Sequence, residues 1–222
     1  MALVARTIDA AALQGWDSAL LQGAGLGPAA ADAVAELLVE ANLRGVDSHG
    51  TSRLPTYVER LRAGLVNRDP KPSVERRDGA LAVVDGDGGP GQVAGLFATE
   101  LAIELAREHG LGAVGVRHST HYGAAAGYVI RAAREGLIGI SMTNAEPLTV
   151  PFGGARAALG TNPIAFGAPT GDGTFVLDMA TSQVAANRVF LARDEGEPSI
   201  PAGWAVDTEG CLLYTSPSPR DS

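Results

Sequence analysis

The chain has 222 residues, 45% hydrophobic and 19% charged, with a formal net charge of −8 and a pI near 5.0. This is globular composition, long enough for one large or two small domains with a real core. The acidic balance argues against nucleic acid as a partner, and a single cysteine, Cys211, excludes a disulfide framework or a Cys-based metal site within the chain. The opening MALVARTIDAAAL is broken by Arg6 and Asp9 and lacks the long apolar core of a signal peptide, and no run reaches membrane-spanning length. The expectation is a cytoplasmic protein with no membrane or nucleic-acid partner.

Residues 9–65 read as helical, with Val34, Leu37, Leu38 and Ala41 at three- and four-residue spacing. Gly27-Pro28 opens one helix and Gly45 closes it; the next is expected to start at Ser48 as N-cap and run through Tyr57, Val58 and Leu61 to Gly64. Pro70, Pro72 and the run from Arg76 to Gly79 read as linker and turn. Beyond them the pattern predicts strand 80–85, helix 92–109, strand 112–117, helix 123–135, strand 137–143 and a further strand 175–179. Such alternation makes the fold class α/β, with an N-terminal helical region over 1–70 and an α/β domain over 71–210. The closing CLLYTSPSPRDS, residues 211–222, has no periodicity and reads as a disordered C-terminus or as a segment foreign to the fold.

Gly86, Gly88 and Gly91 satisfy the G-x-G-x-x-G spacing between an expected strand and an expected helix, the context of a Rossmann phosphate loop. The chemistry argues otherwise. Asp85 and Asp87 bring negative charge where pyrophosphate would sit, Pro90 removes an N–H, and the second strand ends in Arg117-His118 where an acidic residue is required. A tight turn is the preferred reading.

Three stretches carry candidate chemistry. In Asp47-Ser48-His49-Gly50-Thr51-Ser52-Arg53, a helix from Ser48 would place His49 and Arg53 at i and i+4 on one face. A guanidinium there can grip a carboxylate in a bidentate fork while an imidazolium donates a proton to a neighbouring carbonyl oxygen. Spacing alone equally fits a solvated Arg and a satisfied core His. The second stretch, from Arg117 to Gly123, contains His118 and His121 at a strand-to-helix junction. Without a completing Cys or His it argues against metal, and the following helix N-terminus offers an anion site. The third, running from Ser141 and Asn144 to Asp178-Met179-Ala180, is rich in glycine and small polar residues, as ligand loops and plain turns both are.

The segments LRGVDSHGTSRLPTYVERLRAG, DGDGGPGQVAG, GVRHSTHYGAAAGYV, SMTNAEPLTVPFGG, LGTNPIAFGAP and FVLDMATSQVA, in this order and spacing, closely resemble the malate/L-lactate dehydrogenase family. The resemblance implies a non-Rossmann NAD(P)-binding domain and reversible hydride transfer between NAD or NADP and a small 2-oxo or 2-hydroxy acid. It implies that His49 is the proton donor with Ser48 as relay partner, that Arg53 binds the substrate carboxylate, and that Asp178 orients the relay. Asn144, Ala145, Asp178, Met179 and Ala180 match cofactor-contacting positions. His121 matches the acid/base group of the ureidoglycolate branch, so both histidines are candidates; His49 is given the proton and His121 a supporting role. The family also implies a homodimer when full length, and further chain after Gly210. The expectation is therefore a C-terminally truncated sequence, with an inactive fragment as the alternative to a working enzyme.

Overall fold

The computed structural model describes residues 7–213. Asp9 accepts the Ala12 amide at 2.9 Å and so caps α1, Ala10–Gly23. Pro28 stands in the first turn of α2, Pro28–Leu43, where its missing N–H costs nothing, and the chain turns out of the helix at Gly45. The helix expected from Ser48 does not form there. Gly50 is extended (φ −90°, ψ −150°) and divides the segment into two single 3₁₀ turns, Asp47–His49 and Thr51–Arg53, before α3 begins at Leu54–Arg62. His49 and Arg53 are therefore not neighbours on one helix face. Leu21, Leu26, Val34, Leu38, Leu54, Leu61 and Val66 form the buried centre of this helical layer.

β1, Ser73–Asp78, falls where linker and turn were expected. Every one of its residues is exposed, so its sequence has no apolar alternation to read. It pairs antiparallel with β2, Leu81–Gly89, which in turn runs parallel to β3, Ala113–Ser119. The crossover between those parallel strands is α4, Gly91–His109, whose Leu101 and Leu105 close over Ala82 and Val84.

The second sheet joins β4, Gly139–Met142, to β5, Ile164–Thr170, and β6, Gly173–Met179, antiparallel throughout. β5 was not expected, because Gly167 and Pro169 interrupt its apolar pattern. α5, Ala126–Arg134, lies unusually close to this sheet. A Cβ on Gly167 would come within 2.7 Å of the Val129 carbonyl oxygen, and one on Gly139 within 2.9 Å of the Ala132 Cβ. On its other side α5 meets α2, where Arg131 reaches Glu36 at 2.5 Å and Glu40 at 3.3 Å. The helical layer and the α/β layer are thus held against one another through α5. α6, Ala186–Asp194, and the pair β7, Ala205–Val206, with β8, Leu212–Leu213, complete the described chain. Most of segment 211–222 lies outside the described residues. Among the described residues no helix is long and apolar enough to cross a membrane.

Candidate active site

The turn that carries His49 is built by side chains distant from it. Asn42, at the end of α2, donates to the Asp47 carboxylate and accepts the Thr51 amide at 2.8 Å. Its amide presses on Gly50 so closely that any Cβ there would overlap it. Thr51 then donates to Asp17, fully buried in α1, at 2.7 Å. Burial raises the Asp17 pKa, and the Thr51 bond opposes that rise. Gly50 is therefore required by a neighbour, and the polar staple overrides the helix-capping preference of Ser48. Ser48 instead places its hydroxyl 3.0 Å from His49 Nδ1.

His49 and His121 stack with ring centroids 5.8 Å apart and planes 23° from parallel, although 72 residues separate them. Tyr57, on α3, is 2.7 Å from His121 Nδ1 through its hydroxyl, and Gln92, buried at the start of α4, donates to that hydroxyl at 3.0 Å. Arg53 and Arg60 act electrostatically on the same group of side chains. Each has an Nε shielded from solvent with no partner among the described residues, and the Arg53 fork otherwise reaches only Thr56, at 3.5 Å.

The two imidazoles are tuned differently. Burial holds the His49 pKa below its ordinary value; the Asp178 carboxylate pulls it up and Arg53 pushes it down. His121 is driven further, to about 4, by desolvation first and then by His49, Arg53 and Arg60. As a whole residue His121 nonetheless remains exposed to solvent. Of the pair, His49 is the better proton carrier near neutrality.

Asp178 arrives from β6. Its carboxylate accepts the Ala126 amide at 2.8 Å, at the start of α5, where the helix dipole favours negative charge. That bond goes to the helix, not to Ser48 or His49, so Asp178 reaches the histidine as a field and not as a contact. A cavity of about 160 Å³ lies beside it, lined by Glu40, Arg44, Ala126, Gly127 and Val176. Met179 is exposed on the opposite face of β6, as strand alternation demands. Asn144, Ala145, Met179 and Ala180 gather at one end of the second sheet, since Met142, Ile164 and Met179 are cross-strand partners there. The Ala145 amide donates to Asn162 at 3.0 Å, while the exposed Asn144 side chain has no hydrogen bond among the described residues. A free amide beside the small residues Ala145 and Ala180 fits the carboxamide and flat ring of a nicotinamide.

Sequence reasoning did not single out Tyr57, Gln92, Asn42 or Asp17. None carried a local signal: Gln is mostly an exposed residue type, and Gln92 reads as the first residue of an ordinary helix. The two histidines of the second stretch diverge: His118 sits 3.0 Å from Asp85, while His121 turns to Tyr57.

The glycine-rich loop has a different character. Gly88 takes φ 64°, and Asp87 beside it φ 54°, as a tight bend requires. The start of α4 is closed: a Cβ on Gly91 would run into the carbonyl oxygen of Thr120 and the backbone of His121. Backbone thus occupies the room that a pyrophosphate needs at that helix end. The cavity outside it, about 600 Å³, is lined by Asp85 and Asp87 together with Lys71, His118 and Thr120. Asp85 is held below its ordinary pKa chiefly by the Asp87 amide, so it stays ionised and repels anions. This cavity is poorly suited to a phosphate.

An arginine with free donors and two histidines, set near a carboxylate on a mixed α/β frame, are groups chemically able to bind a small anion and exchange a proton with it. The chain belongs to the malate/L-lactate dehydrogenase family, whose model matches residues 8–218 and so reaches into segment 211–222. It is 50% identical over 177 residues to the malate dehydrogenase of Pyrococcus abyssi, covering 80% of this chain and 49% of that protein. It is 45% identical over 188 residues to the ureidoglycolate dehydrogenase (NAD(+)) of Escherichia coli O157:H7, covering 84% and 54%. The crystal structure of malate dehydrogenase from Entamoeba histolytica superposes with a TM-score of 0.90 at 34% identity, covering 95% of this chain and 59% of that one. The chain spans about half the length of the curated relatives it matches.

Proposed function

We propose that the protein is the catalytic-motif-bearing part of an NAD(P)-dependent dehydrogenase that interconverts a small 2-oxo acid and its 2-hydroxy acid. The observation that carries this reading is the meeting of His49, His121, Tyr57 and Arg53 from separate elements, within the field of Asp178. Arg53 binds the substrate carboxylate through its free donors. With Ser48 on Nδ1, His49 has Nε2 free for the substrate oxygen. As the imidazolium it gives that proton to the oxygen; in the reverse direction it takes the proton back, and Nδ1–H stays on the Ser48 hydroxyl. The nicotinamide, when bound, supplies or accepts the hydride. Asn144, Ala145, Met179 and Ala180 would hold it at the end of the second sheet, and Asp178 maintains the proton affinity of His49 against burial.

The test is oxidation of NADH and NADPH by the purified chain against a panel of 2-oxo acids that includes pyruvate and oxaloacetate. Turnover with any of them supports the reading and names the substrate class. A folded, monodisperse sample with no turnover favours the second reading, an inactive partial chain. That reading draws on the second sheet, whose face opposite α5 leaves Ile140, Met142, Phe175, Leu177 and Met179 between 44% and 65% exposed. Titration of the chain with NADH separates the two, because only the first requires cofactor binding.

A further inference from the structure

We infer that Tyr57, backed by Gln92, is a positioning residue that holds His121 as the neutral imidazole with its proton on Nε2, making His121 a hydrogen-bond donor to the substrate oxygen and leaving proton transfer to His49. The donor role rests on the dehydrogenase reading above; the protonation pattern does not.

The positions of the hydrogens fix the tautomer. Gln92 is 1% exposed in the first turn of α4, and its Nε2 donates to the Tyr57 hydroxyl at 3.0 Å. A phenol has one hydrogen. With the amide N–H pointing at its oxygen, that hydrogen goes to its other neighbour, His121 Nδ1, at 2.7 Å. Burial raises the Tyr57 pKa to about 12, so the hydrogen is present throughout the neutral range. His121 Nδ1 therefore accepts, and a neutral imidazole that accepts at Nδ1 bears its proton on Nε2. Making the imidazolium would set an N–H against the phenol O–H, and the phenol cannot turn away because Gln92 also presents a donor.

Every group facing His121 acts in the same sense. His49 stacks on it, Arg53 and Arg60 approach from the side of α3, and its own backbone abuts the positive end of α4 at Gly91. The Asp178 carboxylate raises the pKa of His49, and no carboxylate stands among the groups that shift His121. Two imidazoles 5.8 Å apart thus divide the work. One titrates, and the other stays neutral and polarises the carbonyl, a role that suits a histidine beside a helix N-terminus.

The experiment is long-range ¹H–¹⁵N NMR of the full chain labelled at histidine, recorded from pH 5.5 to 8 without cofactor. His121 is expected to show a protonated Nε2 and a bare Nδ1 across the range. Tyr57→Phe should convert this to a mixture of tautomers and move the His121 titration up toward the ordinary histidine range. Gln92→Glu should do more: the new carboxylate accepts the phenol hydrogen, the phenol accepts from the imidazole, and the proton appears on Nδ1. His109, at the opposite end of α4 from the pair, reports in the same spectra whether each variant keeps its fold. A protonated Nδ1 in the unsubstituted chain, or a tautomer indifferent to both substitutions, overturns the inference. A second arm adds NADH and oxamate, and the His121 Nε2–H signal should move downfield. An unmoved signal in a sample where His49 responds overturns the donor role. If the 2-oxo acid panel fails, the dehydrogenase reading falls while the tautomer result stands on its own.

Discussion

Two glycine-punctuated turns, 47–53 and 85–91, look alike as sequence: each mixes Asp with Gly beside a helix start. Their surroundings set them apart. The first is stapled from outside by Asn42 and Asp17 and faces His121, Tyr57 and the field of Asp178, all supplied by other elements. The second is tied to the 67–71 segment, with Asp85 accepting the Asp87 amide at 2.9 Å and Asp87 accepting from Asn67 at 2.9 Å, and its helix end is blocked by residues 120–121. A motif acquires chemistry from what the fold carries to it over long sequence distances; spacing within the motif does not decide.

The contrast can be broken or sharpened by substitution. Arg53→Leu has a large expected effect: on the proposed reading two charge-assisted hydrogen bonds to a substrate carboxylate are lost together, lowering kcat/KM by roughly 10²–10³. Arg53→Lys keeps the charge and should raise KM more than it lowers kcat. In stability, Gly50→Ala should cost about 2–3 kcal/mol in urea unfolding, because the Asn42 amide must move aside. Gly88→Ala, with open space around it but φ at 64°, should cost about 1 kcal/mol. Equal losses at the two glycines would remove the distinction between a glycine required by a neighbour and one required by its own backbone. Thr51→Val should cost about 1–2 kcal/mol by leaving buried Asp17 without its donor.

The smallest effect is in pH dependence. On the proposed mechanism, reduction of a 2-oxo acid needs His49 protonated, and its pKa is lowered, so the reductive rate should fall as pH rises through a point below the ordinary histidine value. Asp178→Asn keeps an acceptor for the Ala126 amide while removing the charge that supports the imidazolium. The profile should then move to lower pH. A profile that stays in place would show that the Asp178 field does not reach His49.

Much of the frame was legible from periodicity. The spacing of Val34, Leu37, Leu38 and Ala41 marks α2, and α4 starts and stops within a residue of expectation, because each buries one apolar stripe. β1 was not legible, because a strand with both faces in solvent leaves no alternation, and β5 was hidden by Gly167 and Pro169. At the site, His49, Arg53, His121 and Asp178 could be named from residue types and resemblance. Their arrangement could not, because the break at Gly50 comes from Asn42, eight residues away, and Tyr57 and Gln92 occupy positions that read as ordinary helix. Local rules describe elements; the staple and the histidine pair are non-local.

The most direct test of the central claim pairs His49→Gln with Gly88→Ala and measures NADH binding by fluorescence alongside 2-oxo acid turnover. His49→Gln should retain NADH binding while losing turnover by roughly 10²–10⁴, and Gly88→Ala should leave both within a small factor. Loss of NADH binding in Gly88→Ala with turnover surviving in His49→Gln would contradict the claim and move the active site to the glycine loop.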